Sequence, residues 1–149
     1  MDIPISKELR RYNYLLGETD RVYHEAAVRM GLSDSAMRIL YSLCGEGSPC
    51  PLQTVIRQSG ASKQTINSAI RRLEKEGIVR LEPGRGREKN VRLTDGGWEL
   101  AKRTVVPLMR IEDEIYSSWS REDVLKDLEL AERYLTALRE KTEQMELSK

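Results

Sequence analysis

The chain has 149 residues, of which 33% are charged and 5% aromatic, with no Phe and a net charge of +1. That length suits one domain, or one domain with an oligomerisation extension, whose core rests on Leu, Ile, Val and Ala with a few Tyr and Trp. No apolar run approaches the roughly 18 residues of a membrane helix, and the first residues show no basic flank followed by an apolar block, so a secretory signal is not expected. Two cysteines are too few for a disulfide scaffold, so the expected compartment is a reducing cytoplasm.

The near-zero total hides segregated charge. From Arg57 to Arg92 ten basic residues face four acidic ones, a net of +6, whereas Ile111 to Lys149 holds six basic and eleven acidic residues, a net of −5. A basic module beside an acidic tail is a footprint of nucleic-acid binding, of modest specificity.

In chain order, Ser6 to Met30 reads as a helix, with Leu9, Tyr12, Leu16, Val22, Tyr23, Ala26 and Met30 at near-helical spacing. Gly17 weakens its middle by roughly 1 kcal/mol relative to Ala, and Gly31 stops it. Ser33 is a candidate N-cap for a second helix with the stripe Ala36, Ile39, Leu40 and Leu43. Cys44 continues that helix as a small core residue. Ser48-Pro49-Cys50-Pro51 reads as a rigid loop with Cys50 exposed. Pro51 can sit in the first turn of a short third helix, where its missing N–H costs nothing, and Leu52, Val55 and Ile56 are that helix's inward face. Gln58-Ser59-Gly60-Ala61 is a short turn.

Ser62 then caps a two-faced helix. Ile66, Ala69, Ile70 and Leu73 form the apolar face, and Gln64, Asn67, Ser68 and Arg71 repeat the same spacing on the other side. Gly77 supplies the left-handed residue that ends it. Ile78–Glu82 and Asn90–Leu93 read as two short strands around the exposed basic tip Pro83-Gly-Arg-Gly-Arg-Glu-Lys89. Thr94 caps a helix expected to run to about Trp119 with a kink at Pro107. Ser120 starts the last helix, where Val124, Leu128, Ala131, Leu135 and Leu138 alternate steps of four and three, and Thr142 and Met145 continue the register. Such a seam needs a partner, either the first helix or a second subunit.

Two helices joined by a short turn, the second with a polar outer row, make a helix-turn-helix. Gln64 and Asn67 can pair with adenine and Arg71 with guanine, and Ser68 stands in the same row of candidate major-groove readers. Lys63, Thr65 and Arg72 flank that row and suit phosphates. Arg85, Arg87 and Lys89 on the hairpin suit a minor groove or phosphates, with a glycine either side of Arg85 allowing close approach. The plainer reading is a solvated helix face and a solubilising loop; the turn before the helix and the basic hairpin after it favour DNA. The aromatic residues Trp98, Trp119, Tyr12, Tyr23, Tyr41, Tyr116 and Tyr134 suit core or dimer packing. A single His, His24, and no cluster at ligand spacing argue against a metal site. No cofactor motif or enzyme constellation is present, and Gly84-Arg-Gly-Arg is a turn rather than a phosphate cradle, because a strand follows it.

On these residues the chain resembles MarR-family winged-helix regulators over nearly its whole length. The resemblance is carried by Leu32-Ser-Asp-Ser-Ala-Met-Arg-Ile-Leu-Tyr-Ser-Leu, by Ser59 to Val79 and by Val91-Arg-Leu-Thr-Asp-Gly-Gly97. It implies a mainly α fold with a small β-hairpin: a single MarR-like domain over 1–149, with a winged head at 32–94 and helical dimerisation regions at 1–31 and 95–149. In that family the wing carries Asp-x-Arg ahead of Leu-x-Leu-Thr; here Arg85 stands at the acidic position and Arg87 at the basic one.

The resemblance further implies a homodimer on a pseudo-palindromic double-stranded DNA operator, joined by the first and last helices. Leu9, Tyr12, Leu16, Val124, Leu128, Leu135 and Leu138 are its candidate dimerisation residues. Many members leave DNA on binding a small aromatic ligand, and some on cysteine oxidation. The expected function is a non-enzymatic, DNA-binding transcriptional repressor. The alternative is a winged-helix protein-interaction or dimerisation module that does not bind DNA, against which the basic segment argues.

Overall fold

The computed structural model describes residues 2–147; Met1, Ser148 and Lys149, which the 1–149 span includes, lie outside them. The chain divides into two compact units, one up to Leu108 and one from Met109.

In the first unit α1 (Lys7–Met30) starts at Ser6, whose hydroxyl accepts from the Leu9 N–H, and ends at Gly31 in the left-handed conformation. α2 (Asp34–Glu46) is capped by Ser33 in the same way. α2 is the central helix, packing on α1, α3 (Leu52–Ser59), α4 (Lys63–Lys75), α5 (Asp95–Arg103) and strand β3 (Lys89–Leu93). Ile39, Leu40 and Leu43 of α2 meet Val55 of α3, Ile66 and Ile70 of α4, and Val91 in one continuous core. Burying each such side chain contributes about 1.5–3 kcal/mol, and this burial is what holds the short helices in place.

The hairpin pairs β2 (Val79–Pro83) with β3, Val79 opposite Leu93 and Pro83 opposite Lys89. A third strand, β1 (Cys50–Pro51), adds to the other edge of β3, giving the order β1-β3-β2. The second half of the loop expected at 48–51, Cys50–Pro51, is therefore part of a sheet. The exposure expected of Cys50 is also corrected: it lies opposite Val91 and is only 2% exposed. Pro51 sits just ahead of α3, as its N-cap, rather than inside the first turn.

The helix expected from Thr94 to Trp119 is two helices, α5 and α6 (Val105–Ser118), separated at Thr104. The break lies three residues before Pro107 for a steric reason. A helical proline lacks the N–H that would bond to the carbonyl four residues earlier, here Arg103, and its ring crowds that carbonyl. Thr104 closes α5 instead, its N–H donating to the Ala101 carbonyl at 3.2 Å and its hydroxyl to the Leu100 carbonyl at 2.7 Å.

The second unit holds the rest of α6 and α7 (Arg121–Glu143), the latter capped by Ser120. Met145, placed in the helical register from the sequence, lies beyond the end of α7. The Tyr116 ring lies 5.0 Å from that of Trp119, and its hydroxyl donates to Asp127 at 2.8 Å. No residue of α7 is buried, and Leu128, Leu135 and Leu138 are each about half exposed. No helix among the described residues is long and apolar enough to cross a membrane.

Candidate nucleic-acid interface

α4 is built from both ends. Ser62 Oγ accepts from the Thr65 N–H at 3.1 Å and donates to Thr65 Oγ1 at 2.8 Å. The first turn contains no acidic residue and begins with Lys63, so the positive end of the helix dipole stays uncompensated. At the far end Gly77, at φ 76°, lets the Ile78 N–H return to the Leu73 carbonyl at 2.9 Å and turns the chain directly into β2.

The inner face of α4 is Ile66, Ile70 and Leu73, all buried. The outer face presents Gln64, Ser68 and Arg71 to solvent, with Asn67 half-buried beside them. Among the described residues none of these four side chains is committed to an internal hydrogen bond or ion pair. Four such side chains can exchange water for base edges without breaking a bond in the protein. Lys63, Thr65 and Arg72 are exposed on the same helix. Thr65 has a second role missed from sequence: its hydroxyl completes the cap, leaving its own proton for an outside acceptor.

The turn before α4 is held at three points. Ser59, buried at the end of α3, donates its hydroxyl to the Ile56 carbonyl at 2.6 Å and accepts from the Ala61 N–H at 3.1 Å. Its own carbonyl accepts from Arg38 Nη1 of α2 at 2.9 Å. Gly60 makes the bend at φ 68°. The contribution of Arg38 escaped the sequence reading, because nothing local marks a bond across 21 residues.

The wing tip closes within residues 84–88. The Gly84 N–H donates to the Glu88 carbonyl at 2.8 Å, the Glu88 N–H to the Arg85 carbonyl at 2.9 Å, and Gly86 adopts φ 59°. Arg85, Arg87 and Lys89 are exposed. Lower on the hairpin Arg92 grips Glu82 with two nitrogens, Nη2 at 2.9 Å and Nε at 3.0 Å. These bonds hold the Glu82 carboxyl below the usual glutamate range. Glu82 is thus engaged by Arg92, and the three basic residues at the tip form no ion pair among the described residues. α4 and strand β2 are joined through Leu81, whose N–H donates to Glu74 at 3.4 Å.

Cys44 is half-buried and Cys50 buried, and burial pushes both thiols up from their ordinary pKa; Glu46 adds to the shift at Cys50. A raised thiol pKa opposes the thiolate that redox chemistry requires. No group of three or more His, Cys, Asp or Glu able to hold a metal is assembled among the described residues.

Residues 30–88, the stretch from the end of α1 to the wing tip, match the model of the MarR family. No curated protein matches the sequence. Among solved structures, a MarR-family regulator from Neisseria meningitidis is similar at 18% identity, with 93% of this chain and 98% of that one covered and a TM-score of 0.76. The MepR–DNA complex of S. aureus is similar at 15% identity, covering 91% and 99% with a TM-score of 0.67. PcaV of Streptomyces coelicolor, in complex with its natural ligand, is similar at 19% identity, covering 91% and 99% with a TM-score of 0.62. These likenesses show a shared fold, and the head itself carries the family's sequence pattern. Helix-turn-helix, wing and flanking helices agree with these likenesses: residues 30–88 carry the sequence pattern of the MarR family, on a winged-helix fold that the chain shares with MarR-family regulators.

Proposed function

We propose that the chain is a homodimeric, sequence-specific DNA-binding repressor that works in the cytoplasm without catalysing a reaction. The observation that carries this reading is the outer face of α4, where Gln64, Asn67, Ser68 and Arg71 stand side by side with no internal partner. In the major groove these side chains read base edges, each good bidentate pair giving about 1–3 kcal/mol of discrimination. Lys63, Thr65 and Arg72 hold phosphates beside them, and Arg85, Arg87 and Lys89 reach the flanking minor groove or its phosphates. The MepR neighbour, solved on DNA, supports the same use of this fold.

Dimer formation follows from the apolar surface of the helices outside the head. Tyr12, Leu15 and Leu16 of α1 are about half exposed, as are Leu128, Leu135 and Leu138 of α7. A single chain leaves a four-three seam uncovered, and a second copy is the partner that buries it. Two heads then read two half-sites of a pseudo-palindromic operator. Release by a small aromatic ligand is the further step of this reading, supported by the ligand-bound PcaV neighbour.

A fluorescence anisotropy titration with random duplex at low salt tests DNA binding, and selection from a random duplex pool then gives the half-site and its spacing. Saturable binding that weakens steeply with salt is expected. No binding at low salt would replace this reading with that of a protein-interaction module. Sedimentation in the absence of DNA is expected to give twice the chain mass, and a monomer at micromolar concentration refutes the dimer.

A further inference from the structure

We propose that Arg38 is a positioning residue for DNA reading: it sets the orientation of α4 by anchoring the α3–α4 turn to α2. The inference rests on the reading of α4 as the base-reading helix.

The core contact between α2 and α4 is apolar and non-directional. Ile39, Leu40 and Leu43 against Ile66 and Ile70 hold the helices together through a driving force that has no direction of its own. Reading base edges demands a geometry held to within about 0.5 Å and 10–20°. A directional bond is needed, and the turn has one that leaves its own segment. The Ser59 hydroxyl bonds join residues two and three apart, so they shape the turn without attaching it to anything. Arg38 Nη1 to the Ser59 carbonyl, 2.9 Å across 21 residues, attaches it to the central helix. The carbonyl is one of the orphan acceptors at the end of α3, and Arg38 takes the place of a backbone donor there.

The surroundings of Arg38 explain why it serves this carbonyl. The acid one helical turn earlier, Asp34, is the i,i+4 partner an arginine would ordinarily take. In the structure Asp34 faces His24 of α1, whose Nδ1 lies 3.0 Å from one carboxylate oxygen and 3.1 Å from the other. No ion pair between Asp34 and Arg38 forms among the described residues, and the guanidinium turns to the Ser59 carbonyl instead. α1 thus occupies the competitor that would draw Arg38 away from the turn.

The test uses R38M, which keeps length and removes the donor, and R38K, which keeps a charged donor. Amide hydrogen exchange at Ala61, whose N–H is bonded to Ser59 Oγ, reads the turn in DNA-free protein. R38M is expected to speed that exchange about tenfold, the loss of roughly one hydrogen bond, with R38K close to wild type. On DNA, R38M is expected to bind the selected duplex about tenfold more weakly while random-duplex affinity and salt slope stay unchanged, and R38K to restore discrimination. Unchanged exchange at Ala61 in R38M overturns the proposal. A salt slope shallower by about one in R38M also overturns it, because Arg38 is then a phosphate ligand. A wild-type chain that binds no duplex refutes the DNA reading itself, an outcome distinguished from failure of the anchor because exchange is measured without DNA.

Discussion

Replacing Gly97 with Ala tests the joint between the α4–β2 connection and α5. A Cβ built at Gly97 would lie 2.1 Å from the Ile78 carbonyl oxygen and 3.0 Å from a methyl of Leu93. A carbon and a carbonyl oxygen need about 3.3 Å, so α5 and the start of β2 must separate by roughly 1 Å. That displacement falls on a dense group of bonds. The Ile78 carbonyl accepts from the Thr94 N–H at 3.1 Å, the one Thr94 hydroxyl proton is shared between the Gly77 carbonyl at 2.5 Å and the Ile78 carbonyl at 3.1 Å, and Thr94 Oγ1 caps α5 by accepting from the Gly97 N–H at 3.0 Å. Two hydrogen bonds at about 1 kcal/mol each and a weakened cap at about 1 kcal/mol total about 3 kcal/mol. The expected loss in thermal midpoint is roughly 6–12 °C at fixed protein concentration, because each kcal/mol moves a chain of this size by 2–4 °C. Gly96→Ala is the matched control. Its Cβ would meet nothing closer than 3.7 Å, and α5 would gain up to about 1 kcal/mol from helix propensity. Urea and thermal unfolding of the two variants decide the matter: a Gly97→Ala protein as stable as Gly96→Ala refutes the argument.

Arg71→Ala is expected to weaken binding to the selected duplex by about 1–3 kcal/mol and random-duplex binding much less; equal losses in paired titrations would remove it from base reading. Arg87→Ala is expected to weaken binding and lower the salt slope, and an unchanged titration would leave the wing without a part in binding. The Glu82 carboxyl, held low chiefly by its hydrogen bonds from Arg92, contributes stability above the ordinary glutamate pKa of about 4.3 and loses it as pH falls through its lowered value. Glu82→Gln should therefore loosen hairpin amides at neutral pH and have no effect at strongly acid pH, with NMR titration of Glu82 at an ordinary value as the refuting result. Both thiols should react with a disulfide reagent at pH 7.5 more slowly than a small free thiol and equal it only in denaturant; a fast native thiol at either Cys44 or Cys50 would reopen the redox reading.

What could be read from the sequence was local. Ser33, Ser62, Thr94 and Ser120 each announce a helix start within three residues, and each is an N-cap in the structure. The two faces of α4 and the stop at Gly77 follow from spacing alone, which is why the head was legible. The misses are non-local. β1 is two residues long and exists because β3 pairs with it from some forty residues away, so neither the strand nor the burial of Cys50 has a signal of its own. The break before α6 was misplaced because a proline acts on the carbonyl one turn upstream, not where it stands. The Arg38 anchor needed α2 and the end of α3 to be brought together before it could be seen.

The close approach at Gly97 has a mechanical consequence. With the Ile78 carbonyl set against α5 and bonded twice by Thr94, α5 cannot move without carrying β2, and β2 follows α4 by only a few residues. α5 is then a rigid lever about 14 Å long, welded to the reading head at one end and interrupted at Thr104 at the other. Turning that lever by about 15° at the interruption sweeps its far end through roughly 3.5 Å, several times the tolerance of a helix aligned on base edges. A rearrangement at that interrupted turn, which must also shift the buried Ala101 and Val105 against the core, would take α4 out of register with DNA.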